Sequence, residues 1–242
     1  EWPELFETET SELAYEEDVE ITGFGLAVVK TQAAATTYVT ETQGYVARYT
    51  HVAYSLGYIV SHEELQDNKY EKVSRRRAQA LAFSARQTKE LALANIYNRA
   101  FNSSYTGGDA KEMIATDHPT LSGNQSNELT NPADLSESAI EDLCVQIMDT
   151  KNSAGLKISI MPRTLHIPTA EAFNAERILN SVQQNDTAQN AINAIRSMSA
   201  IPGGPKVNHY FTATSAWVIR TNAPRGMTHF EREGYSFKQD ND

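Results

Sequence analysis

Hydrophobic and polar positions change rhythm several times along the chain, and each change marks an element. The opening stretch barely alternates: Glu1, Glu4, Glu7, Glu9, Glu12, Glu16, Glu17, Asp18 and Glu20 occur before the first Lys or Arg. That is too much like charge for a segment that folds by itself, and it predicts an arm. Its apolar residues Trp2, Leu5, Phe6 and Leu13 can dock on a neighbour or on the same subunit, and the sequence leaves both open. From Ile21 to Val60, Thr, Val and Tyr are abundant, with rough alternation in Thr37-Tyr38-Val39-Thr40 and from Tyr45 to Val52. Those stretches predict strands. Gly23, Gly25, Gly44 and Gly57 punctuate them, the pattern of a long, partly solvated β-hairpin that needs something to lie on.

Ser61-His62-Glu63-Glu64 matches a capping box, in which the Ser hydroxyl caps an early helical N–H and Glu64 reaches back to the Ser61 N–H. No Gly or Pro follows until Gly107, and helix formers run to Phe101, which predicts a helix of about 40 residues and about 60 Å. A compact chain of this length is only roughly 45 Å across, so such a helix protrudes or spans an elongated subunit. Val73, Ala80, Leu81, Ala85, Leu91, Ala92 and Ile96 follow three-to-four spacing, and Phe83, Leu93, Ala94, Tyr97 and Phe101 form a second apolar face near its end. One half of the helix is therefore expected to be more deeply buried, and the absence of a sustained heptad argues against a coiled coil.

Beyond the turn Tyr105-Thr106-Gly107-Gly108-Asp109 a polar loop runs to Asn131. A helix is predicted from near Ser136, with Ile140, Leu143, Cys144 and Ile147 on one face. Strands are predicted at Leu156–Ile160 and Thr164–Ile167, then a helix opened by Pro168 that contains Phe173, Ile178 and Leu179. Ser215–Arg220 and Met227–Arg232 read as two closing strands. The fold class is α+β.

Charge and composition narrow the function. A net charge of −10 disfavours binding that relies on neutralising a nucleic-acid backbone. A hydrophobic share of 40% fits a folded protein with a modest core and much surface left to partners. The single cysteine, Cys144, forms no internal disulfide or Cys-based zinc site and reads as a buried thiol. No run approaches the ~18 apolar residues of a membrane span and no signal peptide is visible, which predicts a soluble protein folded in a reducing cytoplasm. The start at Glu1 and finish at Asp240-Asn241-Asp242 are compatible with trimming at either end.

Candidate chemistry is thin. There is no Gly-rich phosphate loop, zinc helix or nucleophile elbow. Asp117-His118 beside Ser122 suggests part of a hydrolytic triad, but Asp-His-Pro in a polar loop is better explained as a turn. Asp109, Glu112 and Asp117 lack calcium-loop spacing, so no metal, cofactor or catalytic residue is assigned. Arg75-Arg76-Arg77 is the densest basic cluster. With Lys69, Lys72 and Arg86 it is a candidate receptor for the acidic arm of an adjacent copy, weighed against plain solvation.

Several blocks, in order, carry a resemblance. Gln43-Gly44-Tyr45 through Gly57-Tyr58-Ile59-Val60, Glu63-Glu64 and Tyr70 lead into Leu81-Ala82-Phe83-Ser84, Thr88-Lys89-Glu90, Ala94-Asn95 and Asn98-Arg99-Ala100-Phe101. Gly107-Gly108-Asp109, Thr116-Asp117-His118-Pro119, Gly123, Ser126-Asn127 and Ala133-Asp134-Leu135-Ser136 form the most specific part. Pro162, Leu165-His166-Ile167-Pro168, Ala175, Arg177-Ile178-Leu179-Asn180-Ser181 and Asn190-Ala191-Ile192-Asn193 follow. Trp217-Val218-Ile219-Arg220-Thr221, Gly226-Met227 and Phe230-Glu231-Arg232 complete the series. From about Gly23 to Glu233 the chain resembles the major capsid (head) proteins of tailed bacteriophages with the Hong Kong 97-type fold.

The resemblance implies an N-terminal arm (1–22), an extended β-hairpin loop overlapping a neighbour (23–60), a peripheral domain with a spine helix (61–105), an axial domain (106–214) and return strands (215–242). It implies a structural, non-enzymatic subunit that self-assembles into hexamers and pentamers of an icosahedral shell. Scaffolding and portal proteins, and decoration proteins, would be its partners. The shell would enclose double-stranded DNA without sequence-specific binding, touch no membrane, be assembled in the host bacterial cytoplasm and end in the virion. Trp2, Phe6, Arg75, Arg76 and Arg77 are the expected contacts between subunits. No lysine–asparagine crosslink is assigned, although Lys30 lies in the loop. The competing expectations are an encapsulin-like compartment shell, a hydrolase using Asp117 and His118, and a monomeric binding module.

Overall fold

The computed structural model describes residues 1–67, 70–184 and 191–238. In chain order its strands and helices are β1 (Glu7–Thr10), β2 (Tyr15–Ile21), β3 (Gln43–Thr50), α1 (His62–Gln66), α2 (Tyr70–Asn98), β4 (His118–Thr120) and β5 (Gly123–Gln125). They continue with α3 (Glu137–Met148), β6 (Pro162–Pro168), α4 (Ala172–Asn180), α5 (Ala194–Ser197), β7 (Pro205–Asn208), β8 (Val218–Thr221) and β9 (Thr228–Glu231).

The acidic start is not a free arm. A 3-10 turn at Trp2–Glu4 delivers Leu5 and Phe6 into a cluster with Leu93 and Tyr97, against which Met113, Phe211, Val218 and Met227 also pack. Leu5 and Phe6 are 1% and 4% exposed, and the Phe6 ring meets Tyr97 edge-on at 5.8 Å. β1 then pairs in parallel with β9, Glu7 opposite Thr228 through Thr10 opposite Glu231. Backbone pairing and a few apolar anchors thus fix a segment whose charge alone would keep it solvated.

The hairpin is also shifted from expectation. Its first strand is β2, drawn from the acidic stretch, which pairs antiparallel with β3 from Tyr15 opposite Thr50 to Ile21 opposite Gln43. Thr37-Tyr38-Val39-Thr40, expected as a strand, lies in the loop between them. Alternation there was only local, and among the described residues nothing pairs with it. The Ser153 hydroxyl donates to Glu20. On the other flank a Cβ on Gly108 would stand 3.2 Å from the Ala47 Cβ and the Val46 carbonyl, so a residue without a side chain lets the turn close against β3.

The long helix is two helices. Ser61 Oγ accepts from the Glu64 N–H at 3.3 Å, as the capping pattern predicts. The Glu64 carboxylate takes a two-pronged bond from Arg77, at 2.8 and 2.6 Å, and with the Ser61 backbone bond beside it this holds the carboxyl below its ordinary range. The guanidinium is the stronger donor, and it ties α1 to α2. α1 closes at Asp67, a poor helix former. α2 is 29 residues, about 44 Å long, which still rivals the width of a compact chain. Its C-terminal half is the buried one, through Leu93, Ala94 and Tyr97, whereas Leu91 and Ile96 of the other stripe stay exposed.

The larger core lies around the sheet β7-β6-β8. β6 runs parallel to β7 and antiparallel to β8; Leu165 and Ile167 are both fully buried. Leu135 just before α3, Ile140 and Cys144 within it, Ala175, Ile178 and Leu179 of α4, Ile195 of α5, Ile201 and Ile219 join them in this core. Ser136 caps α3 through the Ala139 N–H at 3.2 Å. The strand expected at Leu156–Ile160 is absent apart from a bridge between Lys151 and Lys157. The two closing strands form, but they join different sheets rather than each other.

Gly203 sits where the chain enters β7. Its N–H donates to the Arg163 carbonyl at 2.7 Å; an added Cβ would lie 2.4 Å from Thr164 Cγ2 and 2.7 Å from that carbonyl. Gly203→Ala is therefore expected to cost about 2 kcal/mol through overpacking, read as a lower denaturant midpoint. An unchanged midpoint would show that β6 can give way there.

Candidate functional site

The residues that suggested chemistry do not converge. Asp117 is held by the Lys111 ammonium, whereas His118 Nδ1 bonds Asp109 Oδ2 at 2.6 Å. Ser122 Oγ lies 3.3 Å from Thr120 Oγ1, and Thr120 donates to the Gly123 carbonyl. Burial pushes the Asp109 carboxyl up, but bonds from His118 and the Lys111 N–H outweigh it and hold the group below its ordinary range. The His118 Nε2 is buried with no hydrogen-bond partner among the described residues, so no hydroxyl stands where a triad nucleophile belongs. The Asp109–His118 pair pins the loop 105–118 to β4, an arrangement missed in the sequence because Asp109 was grouped there with Glu112 and Asp117.

Among the described residues no group of three or more His, Cys, Asp or Glu side chains could hold a metal ion. Cys144 is buried, and burial followed by the nearby Glu141 pushes its thiol up to about 11, far from a reactive thiolate at neutral pH.

The surfaces suited to assembly are more developed. Of the two dockings left open for the arm, the structure has the one on its own subunit: Phe6 is internal, and Trp2 stacks under the Lys89 ammonium at 4.3 Å and against His229 at 5.3 Å. Arg77 is engaged with Glu64. Arg75 and Arg76 remain exposed on α2, as does Arg86. Lys69 and the side chain of Lys72 lie outside the described residues.

Two stretches expose apolar side chains without cover. In the loop between β2 and β3, Leu26 is 79%, Val29 95% and Tyr38 92% exposed, and after β3 Ile59 is 91% exposed. Such a concentration on one excursion of chain marks an interaction surface. On the opposite account, an open cleft of about 570 Å³ runs between residues 125–129 and β8, floored by Leu143, Ile147 and Ile160. No helix among the described residues is long and apolar enough to cross a membrane.

The described residues make a mixed helix-and-sheet subunit with a long helix and a hairpin whose loop exposes apolar side chains. A family model described as phage capsid protein matches residues 44–242. The chain belongs to the phage capsid protein family, and it is a structural major capsid protein. The fold is similar to the solved capsid of bacteriophage JBD30 decorated with minor capsid protein trimers, with a TM-score of 0.65 and 10% identity over 88% of this chain and 90% of that one. It is similar also to a second bacteriophage JBD30 capsid structure, with a TM-score of 0.63 and 10% identity over 86% and 89% of the two chains. A search of curated proteins found no match.

Proposed function

We propose that this subunit forms hexamers and pentamers of itself, with the Hong Kong 97-type fold, and that these close into an icosahedral head around double-stranded DNA without any catalytic step. The observation that carries the reading is the uncovered apolar surface of residues 22–60, where Leu26, Val29, Tyr38 and Ile59 have nothing to bury them in one copy. Heterologous contacts of this kind, repeated by rotation, close a shell. Residues 23–60 would overlap a neighbour, 61–105 with α2 form the peripheral domain, 106–214 the axial domain, and 215–242 return to the periphery. The start of the chain, 1–22, serves as an internal clasp through Trp2 and Phe6, while Arg75 and Arg76 face an adjacent copy.

The net charge of −10 lets packaged DNA slide past the wall rather than stick to it. Assembly would take place in the host bacterial cytoplasm with scaffolding and portal proteins. Since the JBD30 capsid is decorated with minor capsid protein trimers, a decorating partner is part of the proposal. The match to a phage capsid family favours a head over an encapsulin-like compartment.

Negative-stain electron microscopy with sedimentation tests the reading. Hollow shells or five- and six-membered rings are expected, and Arg75→Glu/Arg76→Glu should reduce their yield without unfolding the subunit. A monomer near 27 kDa that never assembles, even with scaffold supplied, would overturn the proposal.

A further inference from the structure

The cleft beside β8 and the uncovered outgoing arm of the 22–42 loop match one another. The arm leaves β2 through Thr22, whose N–H and hydroxyl bond the Thr42 carbonyl at 3.3 and 2.7 Å. Beyond that point residues 23–30 make no backbone hydrogen bond among the described residues, and the chain turns back only where the Ala34 N–H meets the Thr31 carbonyl at 3.1 Å. Gly23-Phe24-Gly25-Leu26-Ala27-Val28-Val29 carries no charge, and Lys30 follows. Gly23 turns the chain at a φ of 66°, and the apolar segment beyond it has both its backbone groups and its exposed side chains unused.

The cleft offers the complement. β8 is the edge strand of the sheet β7-β6-β8, and residues 215–221 form one continuous wall of the cleft. Met113, Leu143, Ile147 and Ile160 supply apolar lining, and Glu128 belongs to the opposite wall. A free strand edge above an apolar floor is what strand addition requires: backbone bonds give affinity and pockets for alternate side chains give register. Neither Lys30 nor Glu128 has an ion partner among the described residues.

We propose that residues 23–30 of one copy add as a strand to β8 in the cleft of a second copy, with Lys30 reaching Glu128. This rests on the reading of the chain as a self-assembling capsid subunit and names where its extended loop is received.

Cysteine pairing in shells of the full chain tests the proposal. Val28→Cys is combined in turn with Ser126→Cys, Leu129→Cys and Ala216→Cys, the particles are oxidised, and products are separated on a denaturing gel without reductant. A ladder of covalent dimers and higher species is expected from at least one pair and from none of the single variants. In parallel, Lys30→Glu and Glu128→Lys should each lower shell yield by roughly tenfold, and the double exchange should restore it. Shells that form normally yet give no ladder from any pair, with both charge reversals harmless, would overturn the strand-addition proposal while leaving the assembly reading intact. So would a linked species that runs as a faster monomer, since that places the arm in its own cleft. Protection of the cleft cysteines by a co-purifying minor protein would equally overturn it.

Discussion

Phe6→Ala is expected to lower the stability of the isolated subunit by about 3–4 kcal/mol, roughly 10 °C in melting temperature for a chain of this size. Phe6 is almost completely buried and packs with Leu5, Leu93 and Tyr97, so truncation leaves a cavity that the strand pairing of β1 with β9 prevents from collapsing. The consequence reaches beyond the cavity, because Leu5, Phe6 and the 3-10 turn hold the acidic segment against α2. The readout is thermal unfolding of monomer before assembly. If Phe6 instead served a neighbouring copy, monomer stability would not move and only shell yield would fall.

His166 makes the subunit lose stability in acid. It is 2% exposed, within β6, and its Nε2 contacts the Thr164 hydroxyl at 2.9 Å. Burial pulls its pKa from 6.5 down to about 4, with Glu4 opposing and Arg220 and Lys206 reinforcing the drop. Above pH 6.5 the ring is neutral in both folded and unfolded chains, and its contribution is constant. Between pH 6.5 and about 4 only the unfolded chain takes up the proton, so stability falls as pH falls, by about 3 kcal/mol in total. Burial lowers His229 as well, which adds a slope of the same sign. Denaturant midpoints measured from pH 7.5 to 4 should show His166→Gln declining less steeply than the parent chain. Parallel curves would mean that the native sheet accepts the proton without penalty.

How much of this was legible in the sequence depended on whether a signal was local. Ser136 with its apolar face announced α3, and Pro168 announced the turn into α4, because caps and periodicity are written within a few residues. The capping box at Ser61 is legible for the same reason, with the Ser hydroxyl on the Glu64 N–H and the Ser61 backbone acting on the Glu64 carboxylate, whereas Arg77, a partner 13 residues on, lies outside any four-residue pattern. For the acidic start the sequence predicts an arm and leaves its docking open, again for want of a local partner. Its charge was visible, whereas its strand partner at Thr228–Glu231 lies at the other end of the sequence. The choice of buried face on α2 likewise needed Phe6 and Phe211 to be in place. At the candidate site, Asp117 and His118 were neighbours in sequence but turn to different partners, Lys111 and Asp109. The colinear blocks carry the family resemblance, whereas the cleft beside β8 is built from segments far apart in sequence.

The pairing of β1 with β9 also sets an order of events during synthesis. Glu7–Thr10 is made well before its strand partner, which does not exist until Glu231 has been joined. Closing so long a loop costs entropy before any contact offsets it. The aromatic cluster under it waits for Phe211, Val218 and Met227. A chain cut before Thr228 therefore lacks the strand that holds Glu7–Thr10, one cut before Met227 lacks that side chain as well, and the flank of α2 under the aromatic cluster is left unfinished.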